Sequence, residues 1–286
     1  MKNKFSNQYV VSAGGGLLAG KMRSRLDNLL ESYKASMREL FSDELVGVYL
    51  TGSIAFCEFI EGKSDVDLTV LLKPPLIIDG AEMVKRIHQD ISAEYKNIIL
   101  ESQYISLDNI GKNEADTQPF YSFHDNKLTL GKHNAYAVTW FMLKNHGITI
   151  TGIPANELDI NISVYDIKTF VKGNVISYWK DWLIEARKPL SKKRNTALTN
   201  WGIEWCVCGL ARMYFTMMEG DITSKGKAVE YGLTSLPEST HKLQREALRI
   251  RKCEKGAMYN SRFIRRHDMI EYMDFLIESI KRMPLE

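Results

Sequence analysis

The sequence predicts an α/β domain followed by a bundle of helices. Strand and helix patterns alternate over the first half of the 286 residues, whereas the second half shows mainly helical periodicity. The composition changes near Gly152, so we place an α/β domain at 21–157 and a helical domain at 158–286. We interpret residues 1–20 as a mobile tail, because three consecutive glycines interrupt the apolar stretch that a signal peptide would need.

The elements of the first half follow from the spacing of their apolar residues. Leucines at helical spacing predict a helix over 22–41, and the apolar run 46–50 predicts a buried strand. In the next predicted strand, 65–71, valine and leucine alternate with aspartate and threonine. A helix is expected at 81–95 and a third strand at 97–105. Together these elements indicate a mixed sheet covered by helices.

The second half places apolar residues at helical spacing in four longer segments. They lie near 164–185, 196–218, 238–251 and 268–283. The last is the most regular, because its apolar residues fall on one face at Met269, Met273, Leu276, Ile277 and Ile280. This periodicity predicts a bundle.

The composition excludes several classes of protein. Lys and Arg number 38 and Asp and Glu number 35, and a net charge of +3 is too small for a protein that wraps nucleic acid. No apolar run approaches the length of a membrane helix. The four cysteines lack zinc-type spacing, which favours free thiols in a reducing cytoplasm. We expect a cytoplasmic monomer or weak dimer with no nucleic-acid or membrane partner.

One segment has the residue types of a phosphate and metal site. Gly52 and Ser53 follow the first strand, and a glycine lets a backbone approach a phosphate that a serine can contact. Asp65 and Asp67 lie two apart on the next strand, so both carboxylates share one face. Such a pair repels unless a cation lies between, and oxygen ligands suit Mg²⁺. Glu101 on the third strand would complete the metal site and could act as the base for a hydroxyl.

The pattern also has an ordinary structural interpretation. Strand aspartates are often solvent-facing, and a lone strand glutamate such as Glu101 is often merely exposed. The glycine–serine turn at the observed distance from the aspartate pair favours the functional interpretation.

The same residues carry a family resemblance. Gly52-Ser53, eleven residues, then Asp65-x-Asp67 resembles the signature of the polymerase-β-type nucleotidyltransferase superfamily. Three parts of the sequence resemble the bacterial aminoglycoside adenylyltransferases that modify streptomycin and spectinomycin. They are the residues that flank this motif, the segment Leu210-Ala211-Arg212-Met213-Tyr214 and the segment 220–225. The similarity extends over roughly residues 40–280 and is diffuse between the motifs.

The resemblance implies an activity and a role for each matching residue. The activity is Mg²⁺-dependent transfer of AMP from ATP to a hydroxyl of a cationic antibiotic, with two Mg²⁺ ions expected. Gly52 and Ser53 would bind phosphate, Asp65 and Asp67 would bind metal, and Glu101 would be the catalytic base that shares a metal. Arg212 and Lys225 would bind the nucleotide phosphates from the helical domain. Without the resemblance, each of these two cations would be an ordinary surface group.

The residues expected to bind the acceptor differ from those of the family. Streptomycin-modifying members carry a tryptophan and two aspartates before the arginine helix, and neither aspartate is in register here. Trp201 and Trp205 are extra aromatics, of which one is expected in the core and the other at the site. Glu58, Glu61 and Glu204 are candidates for an acidic wall. A spectinomycin-like acceptor is therefore favoured over streptomycin.

Two alternatives stay open from the sequence. The chain could be a nucleotidyltransferase for another acceptor: a lincosamide, a metabolite or a protein. It could also be a nucleotide-binding regulator without catalysis, against which the three carboxylates argue.

Overall fold

The chain folds into two compact units. A computed structural model describes residues 20–132 and 135–285, so the predicted tail lies outside the described residues, apart from Gly20 at its end. The first unit ends at Ile162 and the second begins at Ser163. The first contains a sheet with helices and the second is helical, which confirms the predicted fold class.

The first unit is built on a six-stranded mixed sheet. Its elements in chain order are α1 Gly20–Phe41, β1 Leu45–Leu50, α2 Gly52–Ala55, β2 Val66–Leu72, α3 Ile78–Glu94, β3 Leu100–Ser106, β4 Phe120–His124, β5 Lys127–Gly131, α4 Ala137–His146 and β6 Ile148–Gly152. The strand order is β5-β4-β3-β2-β1-β6. Only the β2–β3 pair is parallel among these neighbours. A helix, α3, connects those two strands, as a parallel pair requires.

Both faces of this sheet are covered by apolar side chains. Val66, Leu68 and Val70 of β2 pack into the cluster that includes α1 and α3 residues. Leu71, on the opposite face, packs in a second cluster with Trp140 of α4. Because side chains alternate along a strand, Asp67 shares the face of Leu71, but it lies at the beginning of β2 and stays partly exposed. Side chains of β2 thus alternate between two buried faces, and of the predicted polar positions on the strand only Asp67 is partly exposed, because Thr69 is buried as well.

A buried histidine joins α3 to the sheet. His88 is fully buried, stacks on the ring of Phe123 at a centroid distance of 3.8 Å, and shares a 2.9 Å hydrogen bond between Nε2 and the Tyr104 hydroxyl. The Tyr104 hydroxyl also lies 2.6 Å from that of Tyr33, which donates to Ser102 Oγ at 3.1 Å. Burial lowers the pKa of His88 to about 3.

This histidine makes the stability of the protein depend on pH. The folded pKa is below the ordinary value of about 6.5, so the unfolded chain binds more protons between those values and His88 costs stability as the pH falls. We expect its contribution to lower the free energy of unfolding by about 2 kcal/mol between pH 7 and pH 5. Urea unfolding of the wild type and His88→Gln at both pH values measures it. Equal losses in the two proteins would contradict it.

The second unit is a bundle centred on one long helix. Its elements are α5 Val164–Asn174, a π-helical turn Val175–Trp179, α6 Lys180–Arg187, α7 Lys192–Thr196, α8 Asn200–Glu219, α9 Lys225–Ser235, α10 His241–Arg251 and α11 Arg262–Arg282. Helix α8 contacts α5, α9, α10 and α11. Gly209 of α8 allows the π-helical turn to pack on this helix, because a Cβ at Gly209 would lie 2.4 Å from the ring of Trp179. Within the described ranges, no helix has the length and apolar character needed to cross a bilayer.

Candidate functional site

The turn after β1 holds a carboxylate against a glycine. Gly52 has a φ of +65°, and a Cβ at this position would lie 1.8 Å from Oδ2 of Asp67. The Thr51 N–H donates to the Asp67 carbonyl oxygen at 2.9 Å, which fixes the turn beside β2. Any larger residue would therefore be strained and would displace the aspartate. The glycine of the sequence motif thus has a structural role, and its phosphate role stays a prediction.

The other two carboxylates lie next to this turn. Asp67 of β2 is the register partner of Glu101 on the parallel strand β3. Asp65 comes immediately before β2, and its carbonyl oxygen is 3.5 Å from Ser53 Oγ. Its negative charge is close enough to raise the pKa of Glu101. The structure therefore brings together the five residues predicted for the first half of the site: Gly52, Ser53, Asp65, Asp67 and Glu101.

Glu101 has a partner that sequence reasoning did not find. His124 Nδ1 is 2.5 Å from Glu101 Oε1, and its Nε2 is 3.5 Å from Oδ2 of Asp125. The Glu101 side chain is 18% exposed, whereas that of His124 is 63% exposed. The imidazole is thus held between two carboxylates at the edge of the site.

Burial and charge act in opposite directions on this pair. Burial is the largest cause that raises the pKa of Glu101; Asp65 adds to it, and the hydrogen bond from His124 opposes it. Partial burial lowers the pKa of His124, but the hydrogen bond and charge of Glu101, with Asp125 and Asp65, outweigh burial and raise it. A carboxylate with a raised pKa is a stronger proton acceptor than an ordinary one.

The donor set fits a magnesium ion. Asp65, Asp67 and Glu101 offer carboxylate oxygens, which are the ligands that Mg²⁺ prefers. Ligand atoms of Glu101, His124 and Asp125 also lie within 4.8 Å of one another, so nitrogen is available at one side of the group. The mutual repulsion of the carboxylates, seen in the effect of Asp65 on Glu101, is what a bound cation would relieve.

The second unit holds a cluster of cations. Lys225 begins α9, and burial together with the charges of Arg212 and Arg251 lowers its pKa. The negative charge of Glu204 acts against this, but Glu204 is 3.4 Å from Arg251, with which it forms an ion pair. The structure therefore brings the predicted phosphate ligands Arg212 and Lys225 together. It adds Arg251, which no motif in the sequence had indicated.

Comparisons with known proteins find one family model and a similar solved structure. A family model described as the C-terminal domain of aminoglycoside adenylyltransferases matches residues 184–274. A search of curated protein sequences finds no match. Among solved structures, the chain is similar to the spectinomycin adenyltransferase AAD(9) of Enterococcus faecialis, which was crystallised with ATP and spectinomycin. The TM-score is 0.61 at 16% identity, over 88% of this chain and 99% of that one.

These matches bear on both halves of the chain. The family model covers the helices that carry Arg212, Lys225 and Arg251, and the structural likeness extends over the fold of the carboxylate unit. The family model supports a nucleotidyltransferase, the enzyme class that the sequence predicts, and the structural likeness shows the fold. The family model thereby confirms the resemblance to the aminoglycoside adenylyltransferases for residues 184–274, and over 88% of the chain the fold is similar to that of a spectinomycin adenyltransferase.

Proposed function

We propose that the protein transfers AMP from ATP to a hydroxyl of an aminoglycoside-type antibiotic and releases pyrophosphate. The observation that carries this proposal is the group of three carboxylates, Asp65, Asp67 and Glu101, beside the glycine turn. A spectinomycin-like acceptor is favoured over streptomycin, since the aspartates of streptomycin-modifying members are missing. The similarity to an adenyltransferase crystallised with ATP and spectinomycin supports the same choice.

The nucleotide and metal would be bound by the residues of the turn and strands. Gly52 and Ser53 would contact the triphosphate, and Asp65, Asp67 and Glu101 would hold Mg²⁺. The metal would supply charge neutralisation at the phosphates and orient the α-phosphorus. Arg212 and Lys225 would bind the phosphates that leave as pyrophosphate. Placing these groups and stabilising charge accounts for most of the catalysis in phosphoryl-type transfers.

Glu101 would take the proton of the acceptor hydroxyl. As the proton moves to the carboxylate, the hydroxyl oxygen forms a bond to the α-phosphorus, and the bond from that phosphorus to the bridging oxygen of pyrophosphate breaks. The raised pKa of Glu101 suits this role. The hydrogen bond from His124 to Oε1 would leave the other carboxylate oxygen to face the hydroxyl.

This activity would inactivate the antibiotic. We place it in the cytoplasm, where ATP and Mg²⁺ are available, in a monomer or weak dimer without a nucleic-acid partner. A screen must separate this activity from two alternatives. One is transfer to another acceptor, which could be a lincosamide, a metabolite or a protein, and the other is nucleotide binding without transfer.

Pyrophosphate release tests the proposal directly. Purified protein with Mg²⁺ and ATP would be screened against spectinomycin, streptomycin, other aminoglycosides and lincosamides. We expect release with spectinomycin, and a fall of roughly 10²–10³-fold in the variant Asp67→Asn, because it removes a charge that binds the metal. Asp90→Asn, an exposed aspartate of α3, is the matched control.

The other results are informative as well. Release with a lincosamide alone would keep the chemistry and change the acceptor. Full release by Asp67→Asn would contradict the assigned metal site. ATP binding without release on any acceptor would favour a nucleotide-binding regulator.

A further inference from the structure

An imidazole lies between two carboxylates where the β4–β5 hairpin turns. Nδ1 of His124 is 2.5 Å from Oε1 of Glu101, and Nε2 of the same ring is 3.5 Å from Oδ2 of Asp125. One ligand atom from each of the three side chains lies within 4.8 Å of the other two. Among the residues that the structure describes, no other three histidine, cysteine or acidic side chains meet in this way. We call Glu101, His124 and Asp125 the hairpin cluster.

The backbone fixes the positions of the hairpin cluster. Ser102 of β3 is paired with Phe123 of β4 in an antiparallel ladder, and the Phe123 ring is buried. One step further along this ladder, Glu101 and His124 are opposite each other, so their side chains leave the same face of the sheet. Asp125 follows directly and begins the two-residue turn to β5, with a φ of 49°. Because all three residues are held by strand pairing, little conformational entropy would be lost when an ion binds.

The two contacts of the imidazole differ in kind. The 2.5 Å contact of Nδ1 with Glu101 is a hydrogen bond between a donor and a carboxylate. The 3.5 Å separation of Nε2 from Asp125 is longer than an ordinary N–H···O hydrogen bond. In a tetrahedral zinc site with bonds of about 2.0–2.2 Å, two ligand atoms lie about 3.4 Å apart. The separation of Nε2 and Oδ2 is therefore that of two ligands to one metal ion.

The contact with Glu101 completes this arrangement. A histidine that binds a metal through one ring nitrogen almost always donates the other N–H to a carboxylate or carbonyl, which fixes its tautomer and the orientation of the ring. Glu101 accepts from Nδ1 and thereby leaves the lone pair of Nε2 for an ion. The imidazole is 63% exposed, so an ion can reach Nε2 from solvent and water can fill its remaining positions.

The donor set indicates the class of ion. Imidazole nitrogen suits zinc and the neighbouring first-row transition ions, whereas Mg²⁺ prefers oxygen and retains its waters. The expected Mg²⁺ ligands Asp65 and Asp67 offer oxygen only, and they precede or lie on β2 rather than the hairpin. The hairpin cluster therefore differs from the Mg²⁺ site in both donor chemistry and position.

We propose that the hairpin cluster binds a transition-metal ion of the Zn²⁺ class, through Nε2 of His124 and Oδ2 of Asp125, and that this ion slows the transfer reaction. The positive charge of the ion would lie beside Glu101, where it opposes the movement of a proton from the acceptor hydroxyl to the carboxylate. Binding of the ion does not depend on the proposed function, whereas its effect on the rate rests on that function.

Zinc binding is measured first, without nucleotide or Mg²⁺. The probe is Zn²⁺ in competition with a chromogenic chelator at pH 8, because zinc binds the neutral imidazole. All proteins carry Cys253→Ser, since this exposed thiol is itself a zinc ligand. We expect the parent protein to bind zinc, and His124→Asn, which keeps a donor for Glu101 but lacks Nε2, to bind it at least about tenfold more weakly. The matched control is His267→Asn, at an exposed histidine of α11, which should bind like the parent.

Asp67→Asn separates the hairpin cluster from the Mg²⁺ site. This variant should keep the zinc affinity of the parent, because Asp67 does not belong to the hairpin cluster. Equal zinc affinity in the parent and in His124→Asn would overturn the inference. Loss of zinc binding in Asp67→Asn would do the same, because it would place the ion on the carboxylates expected to hold Mg²⁺.

Pyrophosphate release then tests the effect on the rate. At saturating Mg²⁺ and ATP, Zn²⁺ should inhibit the parent, and His124→Asn should need at least about tenfold more Zn²⁺ for the same fractional inhibition. Inhibition that additional Mg²⁺ reverses would contradict the proposed effect, because the two ions would then compete for one site. If no acceptor supports release, the proposed function fails, whereas the binding experiment still decides whether the hairpin cluster holds zinc.

Discussion

Replacing Glu101 by glutamine should lower the turnover number by about 10²–10⁴-fold, the usual contribution of a positioned general base. Glutamine keeps the shape of the side chain and can still hydrogen-bond His124, so the strand and the hairpin should stay folded. What it loses is the capacity to accept the proton of the acceptor hydroxyl. Pyrophosphate release at saturating ATP and acceptor measures the effect.

A magnesium titration separates the two roles assigned to Glu101. If the carboxylate acts mainly as base, the Mg²⁺ concentration for half-maximal rate stays unchanged in Glu101→Gln. If it acts mainly as a metal ligand, that concentration rises. Glu82→Gln, an exposed glutamate of α3, is the control for loss of a negative charge. Wild-type turnover in Glu101→Gln would contradict both roles.

The part of the site that could be predicted from the sequence is local in the chain. Gly52, Ser53, Asp65 and Asp67 lie within sixteen consecutive positions. The strand predicted from Asp65 begins one residue later, at Val66, so Asp67 is on the strand and Asp65 is in the turn before it. The close approach of Asp67 to Gly52 then follows from two neighbouring antiparallel strands. Glu101 could be predicted as well, because a helix that connects two strands allows them to pair in parallel, as β2 and β3 do.

His124 was missed because the hairpin that carries it was not recognised. Strands β4 and β5 are joined at Asp125 and Asn126, which both have positive φ, at 49° and 58°. An Asp-Asn pair between two alternating runs is a turn signal, so the hairpin itself was predictable. The contact of His124 with Glu101 was not, because it depends on the pairing of β4 with β3, which lies 14 or more residues earlier in the chain.

The contacts among the basic residues of the second unit also depend on segments that are distant in the sequence. Arg212 and Lys225 were found through family motifs, whereas Arg251 has no motif and reaches them only because α10 packs on α8 and α9. The same packing pairs Glu204 with Arg251, although the sequence predicts Glu204 as part of an acidic wall for the acceptor. Sequence spacing alone places Trp201 and Trp205 on one face of the helix. It does not show which of the two is exposed.

The packing of α10 depends on one buried ionic network. The Glu246 side chain is fully buried and accepts hydrogen bonds from Arg249 at 2.8 and 3.0 Å, from Arg265 at 3.0 Å and from the Met258 N–H at 3.1 Å. Arg265 also donates to Asn200 Oδ1 and to the Leu198 carbonyl oxygen, at the beginning of α8. Burial opposes ionisation of Glu246, but these donors outweigh it and lower its pKa.

Replacing Glu246 by alanine should lower the free energy of unfolding by about 3–5 kcal/mol, because Arg265 would be left buried without its carboxylate. The matched control is Glu230→Ala, which breaks the exposed pair with Lys252 and should cost less than about 1 kcal/mol. Urea unfolding followed by circular dichroism measures both. Equal losses in the two variants would mean that the network is not what holds α10 and α11 to the beginning of α8.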